Sequence, residues 1–438
     1  MKHSKLKLNK NKTFQTIESF GMSTAWWGKL IGGWDHLNES IMKAFYDPLD
    51  GIGLTLIRYN VGSGSSEHDY IKDPSRRTET FEVSKGNYDF TRDQNTLKLI
   101  DYALKHGCKE IVFFSISPTA RMTYSNKVCG NSDPTHPSNH KEAFYQDYVD
   151  YMLDITEHFL ELGYPIQYIS PINEPQWEWG VKTQTQEGCY YTKEEVAKLY
   201  LLFVEEIQKR ELGVRLSGPD GGEWITAIDY AKEIFQYDLL NQHMTHFDSH
   251  SYWTNKEQKL EAKNAFDHNY PSKKLVMSEW CEMKGGLDYT MDAALTLANV
   301  IHEDLSILNV VSWQYWTALE KEKYNHKVAL MYIKEDTKEV LPTKKYYAFG
   351  NFTKYIRPNY QRIEASLSND LLQVSSYYFK GQYVSVIINN NDSSVELDIE
   401  HLTVIKAIIT NQDSNLEEFE YQNVIPPRSV VTLIKQEV

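Results

Sequence analysis

Cysteine is scarce in this sequence: Cys108, Cys129, Cys189 and Cys281 are the only four, and no two of them form a CxxC pair. That excludes a disulfide scaffold and a cysteine-built zinc site, and free thiols are expected. Positive charge is also short, with 46 Lys and Arg against 60 Asp and Glu and a net charge of −14. A nucleic-acid groove or an anionic membrane surface would need clustered cations, so both are excluded as partners. A neutral or weakly charged ligand fits this balance best. No run of about twenty apolar residues is present, as a membrane-spanning helix would require. The basic start MKHSKLKLNKNKTF has no apolar stretch behind it, so no secretory leader is expected. The chain as given therefore reads as cytoplasmic, or as secreted if a leader has been removed. Cofactor motifs are missing too. There is no HExxH, no phosphate-binding GxxxxGK[ST] or GxGxxG, and no GxSxG elbow. His136 and His140, and His246 and His250, have a metal-compatible spacing, but the first pair flanks Pro137 and the second lies on an expected strand. Neither a metal nor a nucleotide cofactor is expected.

What the sequence does have is regular alternation. From 17 to 356, short apolar runs alternate with amphipathic stretches, the pattern of repeated β/α units. Expected strands are 19–23, 54–59, 110–117, 166–172, 214–217, 247–252, 274–278 and 310–316. Helical periodicity is clearest over 140–162, where Phe144, Tyr148, Met152, Ile155, Phe159 and Leu162 recur on one face. Further helices are expected over 95–106, 193–210, 227–237 and 288–305. Eight strands separated by helices predict an α/β fold, a closed (β/α)8 barrel spanning 17–356. After 357 the texture changes to successive strands parted by Lys380-Gly381 and Asn390-Asn391-Asp392, which predicts a C-terminal antiparallel β-sandwich over 357–438. A strand within 1–16 is expected to join it.

Two strand ends carry chemistry. In ISPINEPQWEWG an apolar strand ends at Asn173-Glu174-Pro175, and in LVMSEWCE another ends at Glu279. Strand C-termini of a barrel point into its mouth, and these two fall on the fourth and seventh strands, which face each other. Cleaving a glycosidic bond needs two such carboxyls, one protonated and one ionised. A capping role would account for either Glu alone; the pair is the stronger signal. The ten tryptophans fall within or just beyond expected barrel strands and none in a clear helix, as flat platforms for sugar rings would. Of these, Trp27, Trp177, Trp179, Trp280 and Trp316 are candidate substrate contacts, while Trp313 is expected in the core. Arg58, closing LTLIRYN, is expected to pair with Glu279. His250 and Tyr252, closing FDSHSYW, are expected to orient the nucleophile. Arg121 lies in the loop after the third strand, lining the cleft or capping a helix.

These pieces resemble glycoside hydrolase family 30 of clan A: ESFGMSTAWWGK at the first strand, GLTLIRYNVGSGSS at the second, SPINEPQWEW at the fourth and the Glu279 strand at the seventh. The resemblance covers nearly the whole chain. It implies net retention, Glu174 as acid/base, Glu279 as nucleophile and Asn173 on the sugar 2-hydroxyl. AWWGK followed by IGGW looks most like the branch acting on β-1,6-linked galactan, whereas SISPTARMT departs from the family's usual SPP and aromatic at the third strand. The substrate expected is β-1,6-galactan or galactooligosaccharide. The alternatives are a β-xylosidase, xylanase or β-glucosidase specificity, or a non-catalytic carbohydrate-binding protein, which would be expected to lose a carboxyl or the Asn.

Overall fold

The computed structural model describes residues 2–68, 70–130, 136, 138–179 and 185–437. Pro137, which flanks the first histidine pair, lies outside them. The chain divides into two compact units, one of residues 21–41 and 55–279, the other of 1–20, 42–54 and 280–438. The fold is a (β/α)8 barrel with a fused β domain.

In the first unit the strands run parallel in chain order. Gly21–Ser23 of the first strand (Ser19–Ser23) pairs with the second (Leu56–Asn60), which pairs with the third (Glu110–Phe114) and that with the fourth (Ile166–Ser170). The fifth is broken: Arg215–Leu216 pairs with the fourth, and Pro219–Gly221 with the sixth, His246–His250. The seventh, Lys274–Trp280, pairs with the sixth. The eighth, Ser312–Tyr315, belongs to the other unit. The first, second and sixth strands are buried from end to end, so they show no regular alternation of buried and exposed residues.

The helices follow the apolar stripe. Tyr145–Glu161 buries Tyr148, Met152, Ile155 and Phe159 at helical spacing. Lys193–Lys209 starts at a capping box in which Thr192 Oγ1 accepts from Glu195 N while Glu195 Oε2 accepts from Thr192 N. Lys256–Asn269 has no counterpart among the expected helices, because its composition is too polar for a clear stripe. Only Lys259, Ala262 and Phe266 are buried there, and its sequence signal is the Asn255–Gln258 capping box.

The second unit contains a nine-stranded sheet in the order Asn415–Glu418, Leu402–Thr410, Ser429–Glu437, Gln382–Asn389, Gln373–Phe379, Gln361–Leu367, Lys2–Thr16, Val395–Ile399, Val424–Ile425. The N-terminal strand sits inside it, antiparallel to 361–367 but parallel to 395–399, so the sheet is mixed where a purely antiparallel one was expected. Leu397 and Ile425 from one end of that order share a core with Ile409 and Val431 from the other. The sheet therefore curls until its ends face each other, the sandwich arrangement. All four cysteines are buried free thiols.

Lys435 is an anomaly in this sheet. It is fully buried, donates to Ser385 Oγ, and burial pushes its pKa down to about 7. In the unfolded chain it stays protonated to about 10.4. Folding therefore expels its proton between those values, so stability falls as pH drops from about 10 to 7 and the penalty is constant below that. It amounts to about 4 kcal/mol at pH 7. Lys435→Met is expected to raise the unfolding midpoint at pH 7, with the gain shrinking towards pH 10. Denaturant titrations of both proteins across that range check this; parallel pH profiles would show that the ammonium is solvated in the folded state.

Candidate active site

Four strand ends of the first unit converge on one guanidinium. Arg58, on the second strand, is 1% exposed. Its Nη1 donates to Glu279 Oε2 at 2.7 Å, and its Nη2 donates to Asp220 Oδ2 at 2.8 Å and Asn173 Oδ1 at 3.1 Å. Glu279 is held at its other oxygen by the Tyr252 hydroxyl, 3.1 Å from Oε1. Glu174 follows the fourth strand with φ of 44°, a left-handed conformation that turns its side chain out of the strand line. Its N–H donates to Asp220 O at 2.8 Å, and its carbonyl accepts from Trp177 N and from Trp179 Nε1 at 3.1 Å. His250 Nδ1 lies 3.0 Å from Glu174 Oε1 and 3.7 Å from Glu279 Oε1. The arrangement also needs Gly222. A Cβ there would come within 2.5 Å of Gln176 Nε2, 3.0 Å of Trp177 Nε1 and 3.4 Å of Glu174 Oε1.

Burial sets the proton inventory. It raises the Glu174 carboxyl to about 8, against a smaller opposing pull from Arg58, and the negative charge of Asp220 adds to the rise. Burial raises Glu279 too, but His250 and Arg58 oppose it. Because Arg58 bonds Glu279 and not Glu174, Glu174 is the carboxyl of the two that keeps a proton more readily. Burial would raise Asp220 as well, yet Arg58, His250 and the hydroxyls of Ser170 and Ser278 outweigh it and hold Asp220 ionised. His250 is pushed down by burial, against the opposing pull of Glu279 and Asp220.

Among the described residues, Glu174, His250 and Glu279 form the one group of three metal-ligating side chains, with a donor atom of each within 4.8 Å of the others. Arg58 already places a cation against Glu279, so the charge a metal would supply there is met within the protein. The spacing of these three, and not the His246–His250 pair read from the sequence, is what brings ligand atoms together.

The tryptophans divide. Trp177 and Trp253 are exposed, at 38% and 60%, and meet edge to face with ring centroids 5.5 Å apart. Trp179 is half-buried through its bond to the Glu174 carbonyl. Trp27 is buried and donates to Ser23 O, so it braces the first strand's exit instead of presenting a face. Trp224 departs from the expectation that no helix holds a tryptophan: it opens the helix Trp224–Phe235, fully buried, donating to Ser251 Oγ. In the second unit Trp280 is buried beside the core residue Trp313, and half-buried Trp316 donates its backbone N–H to Trp280 O. Arg121 forks onto Glu82 and pairs with Asp147.

Two residues of the site escape a reading of the sequence. Asp220 stands at the end of the broken fifth strand with φ of 54°, and its GPDGG context reads as a turn. Trp253, next to Tyr252, is visible only as one tryptophan among ten.

Comparison with known proteins gives this geometry its context. The family model described as O-Glycosyl hydrolase family 30 matches residues 3–332. An endo-β-1,6-galactanase of Hypocrea rufa is 26% identical over 250 residues, which is 51% of this chain and 50% of the relative, so the match spans about half of each. Among solved structures, a conserved exported protein from Bacteroides fragilis superposes with a TM-score of 0.88 at 22% identity, over 99% of this chain and all of the other. The catalytic domain of a family 30 xylanase C from Talaromyces cellulolyticus does so with a TM-score of 0.80 at 19% identity, over 99% and 100%. The structural likenesses share the fold; the family model spans three quarters of the sequence and carries both glutamates, and the chain belongs to O-glycosyl hydrolase family 30.

Proposed function

We propose that this protein is a retaining β-glycoside hydrolase in which Glu279 is the nucleophile and Glu174 the general acid and base, acting on β-1,6-linked galactose chains. One observation carries the assignment: two buried carboxyls with oxygens within 4.8 Å of each other, of which only one bonds the guanidinium. Inverting enzymes hold their carboxyls about 6.5–9.5 Å apart to admit a water, whereas retaining enzymes use about 5–5.5 Å. The short spacing favours direct attack.

In the first step Glu279, ionised against Arg58 and Tyr252, attacks the anomeric carbon. Glu174 gives its proton to the glycosidic oxygen, and the leaving sugar departs. In the second, Glu174, now a carboxylate, takes a proton from water that attacks the same carbon and breaks the ester to Glu279. Two inversions give retention. Asn173, fixed by its bond from Arg58, turns its amide N–H groups to the 2-hydroxyl. Trp177 lies three residues beyond Glu174, so with Trp253 it would stack the departing sugar. The galactanase relative supports the β-1,6-galactan substrate.

Glu279→Ala is expected to lower kcat by about 10⁴-fold or more, and azide to restore turnover with a product of inverted configuration. Glu174→Ala is expected to slow substrates with poor leaving groups far more than activated aryl glycosides, because only the former need a proton. Near-normal turnover of an oligosaccharide by both variants would sink the assignment.

The pH profile offers a separate check. Turnover requires Glu174 protonated, so the alkaline limb of kcat/KM is expected near pH 8. Asp220→Asn removes a negative charge that raises Glu174, so that limb is expected to move to lower pH. A limb left in place, with activity merely scaled down, would mean that Asp220 is structural only.

A further inference from the structure

A small cavity of about 40 Å³ opens at the ends of the first two barrel strands, all within the first unit, and Thr24, Trp26, Lys29, Asn60, Glu79 and Asp93 are among its lining residues. Its charged groups have partners. Lys29 donates to the carbonyls of Pro74 and Arg77. Asp93 accepts from Tyr59 Oη at 2.8 Å and Thr96 Oγ1 at 2.6 Å, and Glu79 accepts from Asp93 N. Asn60 is different. It is 6% exposed, and neither its amide oxygen nor its amide nitrogen has a hydrogen-bond partner. Burying a primary amide with both ends unsatisfied costs a few kcal/mol, so such a group in a native fold calls for a partner from solvent or ligand.

Position says which ligand atom. Asn60 stands two residues beyond Arg58 on the same strand, so strand alternation puts both side chains on one face, with Asn60 nearer the mouth. Thr24, at the cavity's edge, donates its N–H to Arg58 O at 3.1 Å. The cavity thus adjoins the residue that grips Glu279. Glu174 and Trp177 follow the fourth strand, and a leaving group must lie where the acid can protonate it. A sugar bonded through C1 at Glu279 then extends its ring the other way, towards the first and second strands. The cavity is small, so a substituent fits it better than a second ring. With cations and carboxylates both present in the wall, the fitting group is neutral and polar.

We infer that this cavity receives the exocyclic C6–O6 group of a hexopyranosyl unit in the glycone position, with the Asn60 amide donating to O6, so that hexosides are selected over pentosides. The inference rests on Glu174 and Glu279 being the catalytic pair. A donated bond needs only a lone pair on O6, so it forms equally when O6 carries the next unit of a β-1,6-linked chain. Asn60 would then read the atom through which such a chain is built.

Three nitrophenyl glycosides isolate the group: the β-D-galactopyranoside, its 6-deoxy analogue the β-D-fucopyranoside, and the α-L-arabinopyranoside, which is the galactoside without C6. The wild-type protein is expected to favour the galactoside by about 100-fold or more in kcat/KM, since a site built to bond a hydroxyl rejects the analogue lacking it. Asn60→Ala is expected to lose about 10- to 100-fold on the galactoside while changing by less than about three-fold on the other two. Their retained turnover shows that the variant is folded, and the near-isosteric Asn60→Leu, which keeps the volume but has no polar group, is expected to give the same pattern. Equal losses on all three substrates, no loss on any, or a wild-type protein indifferent to C6 would each overturn the inference. Failure of the catalytic assignment is separable, because then Glu279→Ala would match the wild-type protein on every substrate.

Discussion

The site depends on one buried cation. Arg58 carries three hydrogen bonds to side chains from three other strand ends, Glu279, Asn173 and Asp220. Burying a guanidinium is expensive unless anions and acceptors surround it in good geometry. Here they do, and the same bonds that keep Arg58 charged fix the positions of the carboxylate at the seventh strand, the amide at the fourth and the carboxylate at the fifth. Asp220 extends this frame further. Its side chain also accepts from Ser170 and Ser278, at 2.6 and 2.5 Å, while its backbone carbonyl accepts from Glu174 N. Ionic and backbone contacts at one residue thus tie Glu174 to the counter-ion of Glu279.

That frame asks little of sequence outside the strand ends, and this is why so much of it is legible in the sequence. Glu174, Glu279, Asn173 and Arg58 each close an apolar run, and in a parallel barrel a polar residue at the end of such a run faces the mouth; His250 and Tyr252 close the more polar FDSHSYW. Asp220 does not close such a run. Its strand is two short pieces parted by Ser217 and Gly218, too brief to show a pattern. The helix Lys256–Asn269 is hidden for a related reason: three buried residues in fourteen leave no stripe.

The tryptophans show the opposite failure, a pattern seen but given too uniform a meaning. Their clustering at strand ends is real, yet Trp27, Trp34, Trp224, Trp280 and Trp313 are buried, while Trp177 and Trp253 face outward. A strand end in a barrel can turn an indole inward to close the core or outward over the mouth. Residue type does not distinguish the two; the neighbours do. Trp224 is drawn in because Ser251 accepts its indole N–H, whereas Trp253 follows a left-handed backbone turn, with φ of 49°, that carries its ring into solvent.

The raised pKa of Glu174 follows from a count of buried charges as well as from its lack of a bond to Arg58. Glu174, Glu279, Asp220 and Asp248 are all buried in this barrel, and the cation that their contacts give them is Arg58. One guanidinium can satisfy two carboxylates, and geometry awards it to Glu279 and Asp220. The other two stay protonated. Burial lifts both Glu174 and Asp248 to about 8, and in each case the nearby charge of Asp220 adds to the rise. Asp248 lies within the sixth strand, whereas Glu174 follows the end of the fourth beside His250. An excess of buried carboxyls over cations therefore favours protonated acids generally, and the left-handed turn at Glu174 carries one of them out of the strand line.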